Sequence, residues 1–104
     1  MDASYINGLV ALAGGGQTNA TLLTRTFNRI TTVVTAGDSC QLPAASPGLT
    51  ISAYNATANS ANLFPGLGDA INSLGANAAL ALPANKGVQL TCMASGFWNS
   101  ILSA

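Results

Sequence analysis

The side chains here that carry charge or exchange protons are few enough to name. They are Asp2, Arg25, Arg29, Asp38, Asp69 and Lys86, with two thiols, Cys40 and Cys92, and no histidine. General acid–base and acyl-transfer chemistry needs a group that titrates near neutral pH, most often histidine. A serine or cysteine nucleophile would find only Lys86, or an arginine that stays protonated, as a basic neighbour. The aspartates are far apart in sequence. Asp38 and Asp69 each follow a glycine, where a short carboxylate accepts hydrogen bonds from turn backbone. A calcium site shared by Asp38 and Asp69 would need more oxygen ligands than these two supply. Two isolated cysteines without histidine do not make a four-ligand zinc site. The expectation is a protein with no catalytic residues, no metal and no cofactor. A pocket holding Asp38, Asp69 and Lys86 together is the arrangement that would reverse it.

Other features point away from ligand chemistry as well. Gly14-Gly15-Gly16 lacks the lysine of a phosphate loop and reads as a flexible joint. Two arginines and one lysine cannot neutralise a meaningful set of phosphates, so nucleic acid is not an expected partner. Asn19-Ala20-Thr21 and Asn55-Ala56-Thr57 match glycosylation acceptors, and are read as coincidence in a chain rich in Asn and Thr. Cys40 and Cys92 each sit in an alternating apolar row; two buried free thiols are favoured over one disulfide. The uncharged stretches 3–24 and 39–68 are interrupted by Gly, Pro, Asn and Thr, so neither offers the roughly 20 apolar residues of a membrane span. Asp2 stands where a secretory signal has its basic region, which predicts synthesis in the cytoplasm without a leader.

With 104 residues there is room for one domain with a sizeable core. Turn punctuation is frequent, and the pieces between are short and rich in Thr, Val, Ile and Leu, the pattern of an all-β chain. Residues 1–19 read as an N-terminal arm or docking segment leaving the core; an ordinary edge strand is the alternative. Within it, the apolar spacing of residues 5–13 fits either a short helix or a strand. Residues 20–104 read as a single antiparallel β-sandwich or small barrel-like domain. Strands are expected over 20–25, 28–35, 39–42, 49–55, 61–64, 70–72, 77–82, 87–93 and 96–102. Leu42-Pro43-Ala44 with Gly48-Leu49-Thr50-Ile51 echoes Leu82-Pro83-Ala84 with Gly87-Val88-Gln89-Leu90. Both read as hairpins whose first arm is stopped by proline.

What remains is a surface. Six charged residues sum to zero net charge while 49% of the chain is hydrophobic, so copies do not repel one another and apolar surface is left over. Arg25, Phe27 and Arg29 share a strand face. They are either solvated edge charges that discourage stray pairing or an anchor patch of the kind enriched in interfaces. Trp98, the single tryptophan, reads as a core or subunit-seam residue ahead of a ligand platform. The candidate partner interface is Tyr5, Ile6, Leu9, Val10 and Leu12 of the N-terminal segment, with Arg25, Phe27, Arg29 and Trp98.

One set of residues resembles a known group. Ala36-Gly37-Asp38-Ser39, Leu42-Pro43, Gly48, Asn55-Ala56, Leu63-Phe64-Pro65, Gly68-Asp69-Ala70-Ile71-Asn72, Gly75 and Gly96-Phe97-Trp98 are similar to small β-rich virion proteins of tailed phages. The similarity runs from about residue 14 to the end. Cys40 stands where that pattern has an aliphatic residue, which counts further against a disulfide. The resemblance implies a capsid decoration (cement) protein or head fibre. Such a protein would be a homotrimer bound to the major capsid protein on the outer capsid surface, stabilising the shell. A fibre or tail-associated adhesion module contacting host glycans is the alternative. Either places the protein in the virion, away from membranes.

Overall fold

Short strands separated by obligatory turns can be closed in two ways, by hairpins or by corners that carry the chain into a second sheet. A computed structural model describes residues 4–103 and shows that this chain mostly takes corners. The described residues hold ten strands and no helix. They are β1 (Tyr5–Val10), β2 (Thr21–Leu22), β3 (Phe27–Thr32), β4 (Ser39–Gln41) and β5 (Thr50–Asn55), then β6 (Ala61–Phe64), β7 (Ala70–Ile71), β8 (Leu80–Leu82), β9 (Gly87–Ala94) and β10 (Phe97–Leu102). A six-stranded sheet has the order β1-β3-β5-β9-β10-β7, and a four-stranded sheet the order β2-β4-β6-β8. From β1 to β6 the chain alternates between the two sheets, and each strand lies parallel to the one laid down a coil earlier. The result is a short solenoid-like stack of roughly 20–25 residues per coil. Beyond β6 the direction reverses: β8 runs antiparallel to β6, β9 antiparallel to β5, and β10 returns as a true hairpin partner of β9.

Two expectations are corrected here. The all-β reading describes the molecule, but the antiparallel sandwich or barrel does not, because five of eight strand pairings are parallel. The two proline-stopped "hairpins" are corners: β4 and β8 lie in one sheet, β5 and β9 in the other. Proline ends a strand equally well in both cases, so the local residues are the same and only the destination differs.

The segment expected as an arm is part of the sheet. Tyr5 to Val10 pair in parallel with β3, Ala11 N–H donates to Thr32 O at 3.0 Å, and Leu12 bridges Ser39. Leu9 and Ala11 are buried in the core, so the edge-strand alternative applies over the described residues; residues 1–3 lie outside them. Nor is the glycine run a loose joint. Gly14 N–H reaches Asp38 Oδ1 at 3.3 Å and Ser39 Oγ donates to Gly16 O at 2.6 Å. Gly15, at φ +69°, lies against the Gly37 carbonyl so closely that a Cβ would collide with it. The run is a corner clamped onto the next coil.

Stacking sets buried side chains in register in the interior. Leu9 pairs with Ile30 and Ile30 with Asn55 on the inward face of the larger sheet. Cys40 pairs with Leu63, and Leu63 with Leu80, in the smaller. Between the sheets these meet Leu23, Leu42, Ile51, Ile71, Leu82, Leu90 and Trp98 in one continuous core. Each buried Leu or Ile contributes about 1.5–3 kcal/mol on burial.

Two asparagines interrupt this core, and both are bonded to corner backbone. Asn28 Nδ2 donates to Arg25 O (2.8 Å) and Ser52 O (3.1 Å). Asn55, fully buried, donates to Asn59 O (2.8 Å) and Leu82 O (3.0 Å) and accepts from Thr57 N–H and Oγ–H. This burial also removes Asn55 as a glycan acceptor. Replacing Asn55 by Leu leaves the carbonyls of Asn59 and Leu82 without this donor in an apolar setting, at about 1–3 kcal/mol each. Asn55→Leu should therefore lower stability by about 3 kcal/mol, read as a reduced urea midpoint at unchanged slope. Wild-type stability in that variant would show that the network is dispensable.

Candidate functional site

The alternation of a β-strand sends every second residue outward, and stacking in register aligns those residues across the sheet. On the outer face of the six-stranded sheet one row reads Tyr5, Phe27, Ser52, Gln89, Ile101 across β1, β3, β5, β9 and β10. The next row reads Asn7, Arg29, Tyr54, Gly87. Tyr5, Phe27 and Ile101 are 66%, 57% and 73% exposed. Tyr54 lies over Gly87, where a Cβ would stand 3.3 Å from the ring, and its hydroxyl donates to Asn85 O at 3.2 Å. Arg29 Nη1 donates to Asn7 Oδ1 at 3.0 Å. The face encloses a shallow concavity of about 580 Å³ with Arg29 as its one charged lining residue.

A second concavity of about 790 Å³ lies around the corner. It is built by the stacked connections that leave β2, β4 and β6, and takes in Leu22, Arg25, Leu49, Leu67 and Asp69. Leu22, Leu49 and Leu67 are exposed in it. The connection between β4 and β5 is longer than that between β2 and β3, and Pro43, Ala44 and Leu49 of it line the cleft. Ser4 and Thr26 line the cleft while their neighbours Tyr5 and Phe27 line the sheet face, so the two apolar surfaces adjoin.

The candidate interface residues are divided by this geometry. Tyr5, Phe27 and Arg29 come together on the outer face, and half-buried Ile6 reaches the same concavity while packing on the core. Arg25 falls in the cleft, not beside Arg29 on the face, because the chain turns between them before β3 begins. Val10 is exposed at the end of β1 and Leu12 is half-buried in its bridge to Ser39. Leu9 and Trp98 are interior residues and are not available to a partner. Trp98 Nε1 is the one buried side-chain polar atom without a hydrogen bond among the described residues. Tyr54, Gln89 and Ile101 complete the surface without having been singled out. Thr50, Ser52 and Tyr54 alternate with Leu49, Ile51 and Ala53 in the sequence, which is a signal for the first; Gln89 and Ile101 need knowledge of which strands neighbour one another.

The groups that could do chemistry are dispersed. Asp38, buried between β3 and β4, accepts from Thr35 N–H (3.1 Å) and Gly14 N–H (3.3 Å). Asp69, between β6 and β7, accepts from Ala45 N–H at 2.9 Å. These are backbone-capping roles at different corners, and Lys86 stands at a third, before β9. Among the described residues no three of His, Cys, Asp and Glu converge, and no helix is long and apolar enough to cross a membrane. No protein-family model, no curated protein and no solved structure matches the chain.

Cys40 and Cys92 are both buried free thiols, in β4 and β9 of opposite sheets. Burial pushes the Cys40 thiol up from 9.0 to about 11. A thiol raised in the folded state favours folding fully below its unfolded value, and that contribution is lost as pH climbs through the folded one. Stability should be flat in this respect up to about pH 9 and fall by about 2–3 kcal/mol toward pH 11. A Cys40→Ala variant should lack that component of the slope in pH-dependent denaturation. Equal slopes in the two proteins would contradict a neutral buried thiol.

Proposed function

We propose that this chain is a structural virion subunit and not an enzyme: a capsid decoration protein that binds the outer capsid surface as a homotrimer and stabilises the shell. The observation that carries the reading is the exposed row Tyr5, Phe27 and Ile101, with Tyr54 beside it, on a sheet face that holds one charge. Contiguous apolar surface of this kind marks association sites, and aromatics with arginine are the residue types that dominate their energetics. The resemblance of the turn and apolar residues from about residue 14 onward to small tailed-phage virion proteins supports the same reading. So does the chemistry of the dispersed acids, which are engaged in holding corners.

A decoration protein works by mass action. It binds the assembled shell and not its loose subunits, so it shifts stability toward the shell without catalysing anything. Neutral, hydrogen-bonding, apolar surfaces serve that purpose because they saturate repeated sites without mutual repulsion. The major capsid protein is the partner that this reading requires.

The test is solution mass by light scattering over a dilution series, followed by binding to undecorated capsids. A trimer that persists on dilution and raises the temperature of shell disruption is expected. Phe27→Asp, at an exposed position, should leave the unfolding free energy of the isolated protomer within about 0.5 kcal/mol of wild type while dissociating the trimer. A protein that is monomeric at every concentration and leaves capsids unchanged would overturn the proposal.

A further inference from the structure

The larger sheet's outer face and the corner cleft adjoin, yet they share no lining residue. A two-fold dimer through the sheet face would use one of these surfaces twice and leave the other bare. It would also gather two copies of Arg29, the face's one charged lining residue, in a single patch. The cleft carries both signs, with Arg25 and Asp69 in its lining. Asp69 spends Oδ2 on Ala45 N–H, leaving Oδ1 for a further donor. Arg25 follows β2 and Asp69 follows β6, and β4 lies between those strands. The two charges therefore stand on different connections of the cleft wall.

Area leads to the same arrangement. Five neighbouring strands about 4.8 Å apart and about 20 Å long make a face of roughly 400–500 Å² in projection. One contact of that size per partner sits near the lower limit of about 1,000 Å² in total for a specific interface. A subunit that gives its face to one neighbour and its cleft to another makes two such contacts, and a closed ring leaves neither surface exposed.

We propose that the trimer is a head-to-tail ring in which the Tyr5–Phe27–Ile101 face of one copy packs into the Leu22–Leu49–Leu67 cleft of the next, with Arg29 directed at the neighbour's Asp69. The ring number rests on the decoration-protein reading; the pairing of unlike surfaces does not. The interface is heterologous, so residue 27 meets residue 67 of another copy and never residue 27.

Cross-linking with a short bismaleimide distinguishes the arrangements. The native thiols are buried, so the wild-type protein is the blank. Phe27→Cys alone and Leu67→Cys alone should each give no cross-linked dimer. An equimolar mixture, dissociated and reassembled, should give a dimer containing one copy of each variant. The double variant Phe27→Cys/Leu67→Cys should cross-link through to covalent trimer. Light scattering on the same samples separates the two proposals. A trimer in which Phe27→Cys links to itself, or in which no mixture links, overturns the ring while sparing the oligomer. A protein that is monomeric throughout overturns both.

Discussion

Everything in this fold depends on satisfying the backbone where the chain passes from one sheet to the other. Parallel neighbours pair strand interiors, but corners fall outside both ladders, and their N–H and C=O groups lie partly buried with no strand opposite. Short polar side chains take those bonds. Asn28 holds the corner before β3, Asp38 the corner before β4, Asn55 the corner after β5, and Asp69 ties the connection after β6 to the one after β4. Each bond adds only about 1 kcal/mol net, but leaving a buried partner unmade costs about 1–3 kcal/mol. With ten strands of two to eight residues, there is little ladder to offset even one failure. These four side chains decide whether the coils stack, and the apolar core then fills what they enclose.

The same constraint shapes the surface. Two of the three aspartates of the chain are committed to corners, and little negative charge is left for the exterior of the described residues. The sheet face is thereby left to aromatic, aliphatic and amide side chains around one arginine. A carboxylate placed among Tyr5, Phe27 and Tyr54 would improve solubility and weaken association through that face. Asp38 works inside and Asp69 at the wall of the cleft, and the sheet face is free to be sticky.

Much of this was readable from residue order. Alternation located nearly every strand to within a few residues, and placed Thr50, Ser52 and Tyr54 together on what proves to be the outward face. Glycine before Asp38 and Asp69 marked their carboxylates as backbone acceptors. Pairing direction was not readable. A proline stop, a few small residues and a glycine close a hairpin as readily as they turn a corner, and the choice is made by what the following strand meets. The arm was misread for a related reason: residues 5–13 have a neighbour in space, β3, from which an intervening glycine corner and β2 separate them. Trp98, read as a core or subunit-seam residue, is a core one: the register of β10 against β9 pairs it with Cys92 and turns it inward. The outer face was half legible for the same reason: which residues point outward follows from alternation, but which of them lie side by side follows only from strand order.

A parallel stack carries a hazard that this molecule meets at each of its exposed edges. Unpaired strand edges invite further coils, and unlimited addition along the stack axis would make a fibre. Here β2 and β7 are two residues long and β8 three, too short to template a partner. The one full-length edge, β1, is broken by Gly8 at φ +96°, with register shifts against β3 on either side of Leu9. A bulge of that kind bends and twists an edge out of the plane another strand would need. Backbone-directed growth is blocked while side-chain surfaces on the flanks stay open. The surfaces left for any association are therefore the flanking faces, where the proposed ring would close by rotation. Under the proposed reading as a shell subunit that distinction matters, because a chain that extended along its own axis would deplete itself into filaments before it could saturate a lattice.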